Sequence, residues 1–326
     1  MRMMKKAAWP LISAISMGAG TFIGAQYEKM YGLPNKQLGI DTIHGEKSKG
    51  SYILPLIEAR SAPVDSNSLI AQNSDISDLN KPTVPSNRVS QIMRYGFPGL
   101  DNIRAFDDYV LSYDRRNRTA HWVFEHLNRD NTKHNDNVSR DKCEFFEDDS
   151  VHEYFRAKNS DYKKSGYDRG HLAAAANHRH SDSAMQQTFV LSNMAPQVGK
   201  GFNRDAWAML EKYVRSLTKH FVNVYVCTGP LYLPRYENDG KLYVKYEVIG
   251  KNNVAVPTHF YKIVACEDKN GQIELLSFVM PNQPLPDNLQ LNAYLVPLDT
   301  IERASGFLFF DKLPRNLVKR INGKKT

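Results

Sequence analysis

The second half of the chain carries a series of short runs rich in Val, Tyr, Phe and Ile, closed off by Gly, Pro and Asn: FVNVYVCTG (221–229), KLYVKYEVIG (241–250), VPTHFYKIVACED (256–268), IELLSFVMP (273–281) and LNAYLVPL (291–298). Runs of this length and composition are too short and too β-branched for buried helices, and their punctuation is that of strands. A hairpin precedes them in FDDYVLSYDRRNRTAHWVFEHL. There Tyr109, Leu111 and Tyr113 alternate, RRNR turns the chain, and His121 and Val123 open a second apolar run. At least six strands are therefore expected, and LFFDKLP (308–314) also reads as one.

Helical spacing is rarer. One helix is expected around Asp182 to Thr188 and a strong one from about Arg204 to Thr218, where Trp207, Leu210, Val214 and Leu217 share a face. A short third helix follows Asp299, with DTIE as its capping box. The sum is an α+β domain, a central antiparallel β-sheet flanked by helices, running from about Ser90 to Leu317 without an internal repeat.

What lies outside that domain is different in kind. Residues 1–30 open with Arg2, Lys5 and Lys6, then run from Ala7 to Gln26 without a charge, as a targeting or anchoring segment does. Composition leaves a cleaved secretory signal and a mitochondrial presequence with an apolar stop equally open. Pro10 and three glycines make it a poor membrane span. Residues 31–89 are polar, Pro- and Ser-rich and aperiodic, as a flexible linker is. Residues 318–326 form a basic tail, read as solvated charge. Three cysteines, Cys143, Cys227 and Cys266, are too few for a disulfide framework and form no CxxC pair. A net charge of +8 favours an anionic partner without naming one.

The polar chemistry is concentrated between Tyr167 and Tyr213, in YDRGHLAAAANHR and LSNMAPQVGKGFNRDAWAMLEKY. His171 is the group in its run whose ordinary pKa lies near neutrality, which suits a general base. A single histidine is more often a satisfied structural residue. Its neighbours add Arg169, a planar cation able to grip phosphate, and Asp168, an anion able to orient it, although the two could equally form a plain salt bridge. Asn203 stands where a helix begins: it is either an N-cap or an oxygen donor to a hard cation such as Mg²⁺. Glu211 is eight residues further on, roughly 12 Å along a regular helix, which suits an outer-shell role better than shared ligation. Otherwise it is a solvated partner of Lys212 or Arg215. The tripeptide His178-Arg179-His180 fits no zinc spacing, and a surface or nucleic-acid-contacting role is expected of it.

At these residues the chain resembles the ββα-metal, DNA/RNA non-specific nucleases, and within them the mitochondrial endonuclease G branch. DRGH (168–171), SNMAPQ (192–197) and FNRDAW…LE (202–211) stand in that family's order. CTGPLYLP (227–234), NNVAVPTHFYK (252–262) and ERASG (302–306) extend the likeness from about Ser90 to Leu317. The resemblance implies a ββα-metal nuclease fold and His171 as general base. It implies Asn203 as the sole protein ligand of one Mg²⁺, with Mn²⁺ as a substitute, and Glu211 as holder of metal-bound water. Arg169 falls on a catalytic position; Asp168, Asn193, Gln197 and Arg204 fall on positions of nucleic-acid contact or site support. Arg204 departs from the neutral residue many relatives carry, so its role is the least secure of these. The implied activity is hydrolysis of DNA and RNA to 5′-phosphate and 3′-hydroxyl ends, in mitochondrial nucleic-acid degradation and apoptotic DNA fragmentation. A homodimer in the intermembrane space, associated with the inner membrane through its N-terminal segment and released to the nucleus, is part of the same expectation. The competing class is a nucleic-acid-binding protein of this fold that has lost catalysis.

Overall fold

The structure, a computed structural model, describes residues 86–326. The expectations for residues 1–30 and for most of the linker lie outside the described residues. The domain is organised on one eight-stranded sheet. Its strands are β1 (Ile103–Ala105), β2 (Tyr109–Asp114), β3 (Thr119–Leu127), β6 (Asn223–Leu231), β7 (His259–Glu267), β8 (Ile273–Pro281), β9 (Val318–Ile321) and β10 (Lys324–Lys325), hydrogen-bonded in that order. A separate antiparallel pair, β4 (Tyr167–His171) and β5 (Met194–Val198), is inserted between β3 and β6 in the chain and carries the DRGH and SNMAPQ motifs.

The central strands are apolar at nearly every position because both faces of the sheet are covered. On one face Leu111, Val123, Val226, Val264 and Phe278 pack under Phe202, Trp207, Leu210 and Val214. On the other, Val110, Trp122, Phe124, Cys227 and Ile263 pack against Ile92, Ile301, Phe309 and Phe310. The latter come from helix α1 (Ser86–Ile92), helix α4 (Leu298–Ser305) and the segment after it. Cys227 and Cys266 are buried thiols, as expected. Helix α2 (Asp182–Gln187) lies where the sequence placed it. The long helix is entered through the segment Gly199–Trp207, which is kinked at the non-helical Lys200 and Gly201, and continues into α3 (Ala208–Leu217).

Several expectations are corrected. Ordered packing reaches back before Ser90: Val89 packs on the second core and Arg88 pairs with Asp108 at 2.8 Å. At the other end the basic tail joins the sheet. β9 lies parallel to β8, the one parallel pairing in an otherwise antiparallel sheet, and β10 folds back on it. KLYVKYEVIG yields only the two-residue pieces Leu242–Tyr243 and Val248–Ile249, with Tyr243, Val244 and Tyr246 exposed. Strand propensity in that run meets no sheet face to pack on. LNAYLVPL forms a 3₁₀ turn, Leu291–Tyr294, and touches the sheet through one bridge from Leu295 to Phe278. LFFDKLP is a turn rather than a strand: Phe310, at φ 56°, plugs the core. α4 starts after Pro297 without a side-chain cap, so Asp299 lies in its first turn and DTIE forms no capping box.

Candidate active site

β4 alternates its side chains, so Arg169 and His171 share one face while Asp168 and Gly170 share the other. Arg169 lines a groove of about 730 Å³ together with Arg140, Phe145, Tyr162, Lys163, Asp168, Asn203 and Arg204. Its guanidinium stacks on Phe145, 4.0 Å from the ring centroid, and donates through Nη1 to Asn159 Oδ1 at 2.6 Å. Those contacts fix the cation at the groove wall.

His171 lies two residues along the same strand face, wedged between Phe145 and Phe189, with ring centroids 5.7 and 4.7 Å away. It is 7% exposed, and its Nε2 has no hydrogen-bond partner among the described residues. Burial, reinforced by the positive charge of Arg140, His178 and Arg169, pushes its pKa down to about 3. The imidazole is therefore neutral at every physiological pH.

Asn203 belongs to the first turn of the long helix rather than to its cap. The chain swings into that helix through Gly201, at φ 84°, where the Pro284 backbone approaches within 2.9 Å of the position a Cβ would take. The cap is closed instead by Asp205, whose carboxylate accepts from the Gly201 N–H at 2.6 Å. Asn203 Nδ2 donates to Asp168 Oδ2 at 2.9 Å, which leaves Oδ1 as the free acceptor of that carboxamide. Asp168 also accepts from Arg204 Nε and Nη2 at 2.8 and 2.6 Å. Burial pushes the Asp168 carboxyl up, but these hydrogen bonds outweigh it and hold the group below the usual carboxylate range. Asp168 thus ties β4 to the helix and orients Asn203. That is a bracing role, in line with the orienting anion read from the sequence.

Asn193 and Gln197, expected at positions of site support or nucleic-acid contact, are both buried. Asn193 is fully buried, and its carboxamide is committed to the backbone: Oδ1 accepts from Ala173 N–H, while Nδ2 donates to the carbonyls of Ala173 and Thr188. It pins the chain on either side of β4 and β5. Gln197 is also fully buried and packs into the space left by the missing Cβ of Gly170. Any larger residue at 170 would displace it, so the glycine of DRGH is required by close packing.

A free carboxamide oxygen backed by a carboxylate is a hard-donor arrangement that fits a cation keeping most of its water. Among the described residues no group of three or more His, Cys, Asp and Glu side chains is placed to hold a metal ion.

Residues 88–316 match the DNA/RNA non-specific endonuclease family. The chain is 58% identical over 219 residues to mitochondrial endonuclease G of Bos taurus, covering 67% of this chain and 72% of that one. It is 50% identical over 248 residues to mitochondrial endonuclease G of Caenorhabditis elegans, covering 76% and 80%. The crystal structure of an EndoG/EndoGI complex superposes with a TM-score of 0.73 at 58% identity, covering 74% of this chain and 98% of that one.

The chain belongs to the DNA/RNA non-specific endonuclease family.

Within that nuclease fold the structure adds what no motif announced. Phe145 and Phe189 frame His171 and Arg169 from irregular segments, Arg140 from a 3₁₀ turn (Arg140–Lys142) and Asn159 from a single helical turn (Asn159–Tyr162). Beneath α3 lies a buried polar group. Glu125 Oε1 accepts from Asn177 Nδ2 at 2.9 Å and is 3.1 Å from His178 Nε2, and Arg215 Nη1 donates to Asn177 Oδ1 at 3.0 Å. His178 is 1% exposed, which corrects the expected surface role. Burial lowers its pKa, but Asp108 and Glu125 more than compensate and lift it to about 9. His180, the other histidine of that tripeptide, pairs with Asp108 at 2.9 Å. Glu211 is half-buried and takes no side-chain hydrogen bond among the described residues. The detectable signal for Glu125 and Lys262 was a lone charge inside an otherwise apolar central strand.

Proposed function

We propose that this chain is a mitochondrial endonuclease that cleaves phosphodiester bonds of DNA and RNA with a divalent cation, using His171 as general base and Asn203 as the protein ligand of Mg²⁺. The observation that carries the reading is a groove lined by the fixed Arg169 guanidinium and by Asn203, whose carboxamide Asp168 holds by its nitrogen, with the neutral His171 imidazole buried two residues along the strand from Arg169.

Phosphodiester hydrolysis requires a nucleophile to be deprotonated near an anion and an oxyanion to leave. His171 is deprotonated at neutral pH because it is buried, but a pKa near 3 makes a weak base. Burial is the main cause of that depression, and the positive charges of Arg140, His178 and Arg169 add to it. A phosphate entering the groove neutralises Arg140 and Arg169 and raises the basicity of the ring, so that it can accept a proton from water as attack proceeds. This contributes roughly 10²- to 10⁴-fold. Arg169, pre-stacked on Phe145, holds the scissile phosphate, and Asp168 keeps Asn203 in register. A divalent cation bound there supplies positive charge to the phosphate and to the departing 3′ oxygen. Glu211 would hold water bound to such an ion. The products are 5′-phosphate and 3′-hydroxyl ends.

Groove contacts of this kind grip backbone and carry little sequence information, which suits cleavage of both DNA and RNA. The reading extends to a homodimer of the intermembrane space, tethered at the inner membrane by residues 1–30 and acting on chromosomal DNA after release to the nucleus. Sedimentation of the purified chain and fractionation of tagged mitochondria test those extensions.

The decisive assay incubates the chain with supercoiled plasmid and with RNA in Mg²⁺, then in EDTA. Nicked and linear plasmid with 5′-phosphate ends, and cleaved RNA, are expected with Mg²⁺ alone. Retardation of both substrates without cleavage, in Mg²⁺ or Mn²⁺, would instead identify a binding protein that has lost catalysis.

A further inference from the structure

Asn252 opens the run NNVAVPTHFYK, which no step of the reaction uses. It lies in the bend of a small hairpin in which Val248–Ile249 pairs antiparallel with Val254–Ala255. From there it reaches across to Asp161. Asn252 Nδ2 donates to Oδ1 and Oδ2 of that carboxylate at 3.1 and 2.9 Å, and the Asn252 backbone N–H donates to Oδ1 at 3.2 Å. Gly250 stands beside it at φ 66°, and the Cα, Cβ and Oδ1 of Asp161 occupy the space a Cβ would need there. The bend of the hairpin is thus shaped around one carboxylate.

Asp161 belongs to the single helical turn Asn159–Tyr162. One turn is too short to hold helical geometry by itself, because its nucleus fixes several dihedrals for a single hydrogen bond. Asp161 supplies part of the missing constraint: its Oδ2 accepts from the Lys158 N–H at 2.8 Å and closes the start of the turn. The residue is 2% exposed and forms no ion pair among the described residues, so its charge is held by N–H donors, three of the four bonds coming from Asn252. Ala157 and Tyr162, at either end of the turn, pack with Ile249, Val254 and Val256 in a small core of their own.

What the turn presents to the groove is Asn159. Its Nδ2 donates to the Phe145 carbonyl at 2.9 Å, and its Oδ1 accepts from Arg169 Nη1 at 2.6 Å. One carboxamide therefore fixes both the guanidinium and the residue on whose ring it stacks. Among the described residues Arg169 makes no other hydrogen bond or ion pair, which leaves Nε and Nη2 for a phosphate.

We propose that Asn252 is a positioning residue for phosphodiester cleavage: by holding Asp161 it sets the place of the turn from which Asn159 aims the Arg169 guanidinium into the groove. The inference rests on the reading of Arg169 as the holder of the scissile phosphate, and it traces that grip to a residue outside the groove lining. A planar cation pairs with phosphate through two parallel bonds only in one orientation, so a displacement of about 1 Å in the turn is costly even in an intact fold.

The test compares Asn252→Ala, Asn252→Ser, Asn159→Ala, Arg169→Ala and the Asn252→Ala/Arg169→Ala double variant, with folding checked by circular dichroism and melting temperature. In metal-free protein the side-chain ¹⁵N resonances of Arg169 report whether the guanidinium is held. Nη1 and Nη2 should be separate in the parent and averaged by rotation in Asn252→Ala and Asn159→Ala. In single-turnover plasmid cleavage with Mg²⁺, each of those two variants should be slower than the parent by about tenfold or more. In the Arg169→Ala background Asn252→Ala should change the rate by less than about twofold, while its cost in melting temperature is the same in both backgrounds. An asparagine with a merely structural role would slow cleavage by the same factor whichever residue stands at 169. That equality, or a parent-like Arg169 spectrum in a folded Asn252→Ala protein, would overturn the proposal. If Asn252→Ala does not fold, Asn252→Ser, which keeps a side-chain donor, decides on the same two readouts. Parent-like cleavage by Arg169→Ala would instead remove the grip on phosphate, and the catalytic part of the inference with it, even where the spectra show that Asn252 holds the guanidinium.

Discussion

The two faces of the central sheet do different work with the same strands. The face under α1 and α4 is closed by Ile92, Trp122, Phe124, Ile301, Phe309 and Phe310, with no charged side chain in the cluster. The face under α3 is also mostly apolar, but it admits Glu125, Thr228 and Lys262 among its packed residues and borders the groove. Burial of apolar area stabilises both faces, at about 25 cal/mol per Å². The first holds His126 and Glu267 at its margin, 6% and 8% exposed, whereas the second holds Glu125 and Lys262 at 0% and 1%. The helix that covers this second face is continuous with the segment that brings Asn203 and Arg204 to the groove.

The contrast can be broken most forcefully at the groove itself. Asn203→Ala removes the free carboxamide oxygen, and plasmid cleavage in Mg²⁺ should fall on the order of 10³-fold, several kcal/mol of barrier, with the melting temperature nearly unchanged. Next in size is a lesion on the plain face. Ile301→Ala leaves a cavity in the second core and should cost roughly 2–5 kcal/mol in urea unfolding, while cleavage per folded molecule stays that of the parent. Equal loss of catalysis would mean that the two faces are not separable.

A smaller effect distinguishes the faces by pH. The pKa of His178 is lifted from the ordinary 6.5 to about 9 in the fold, so the fold binds its proton more tightly than the unfolded chain does. The stabilisation is complete below pH 6.5 and is lost as pH rises through about 9. Unfolding free energy should therefore drop by roughly 2–3 kcal/mol between pH 6 and 10, and His178→Gln should flatten that slope. The smallest effect belongs to the groove rim. Arg204 is largely exposed and bound to Asp168 at 2.6 Å, so Arg204→Ala should weaken DNA binding only a few-fold and lower the salt dependence by about one ion. A larger loss would show that its guanidinium leaves Asp168 to take a phosphate.

Much of this was written locally in the sequence. The strands of the hairpin and of residues 221–229, 256–268 and 273–281 were legible because central strands buried on both faces must be apolar throughout. His171, Arg169 and Asn203 were legible because their motifs are contiguous. Asn193 and Gln197 show the limit: a motif marks a position as needed without saying whether its side chain faces solvent or braces the backbone, and here both brace. The strand-like runs at 241–250, 291–298 and 308–314 misled because propensity does not reveal whether a neighbouring strand or a core face is available. The basic tail misled in the opposite sense, since charged residues on an edge strand can still contribute backbone hydrogen bonds. Glu125 and Lys262 are far apart in sequence, and their placement in one sheet follows from register alone.

The most direct test of His171 as the base is single-turnover cleavage of plasmid by His171→Ala, with and without added imidazole. The variant should fold normally and cleave at least about 10²-fold more slowly than the parent, and its rate should climb with imidazole concentration at constant ionic strength. Cleavage by His171→Ala at the parent rate in buffer alone would contradict the account.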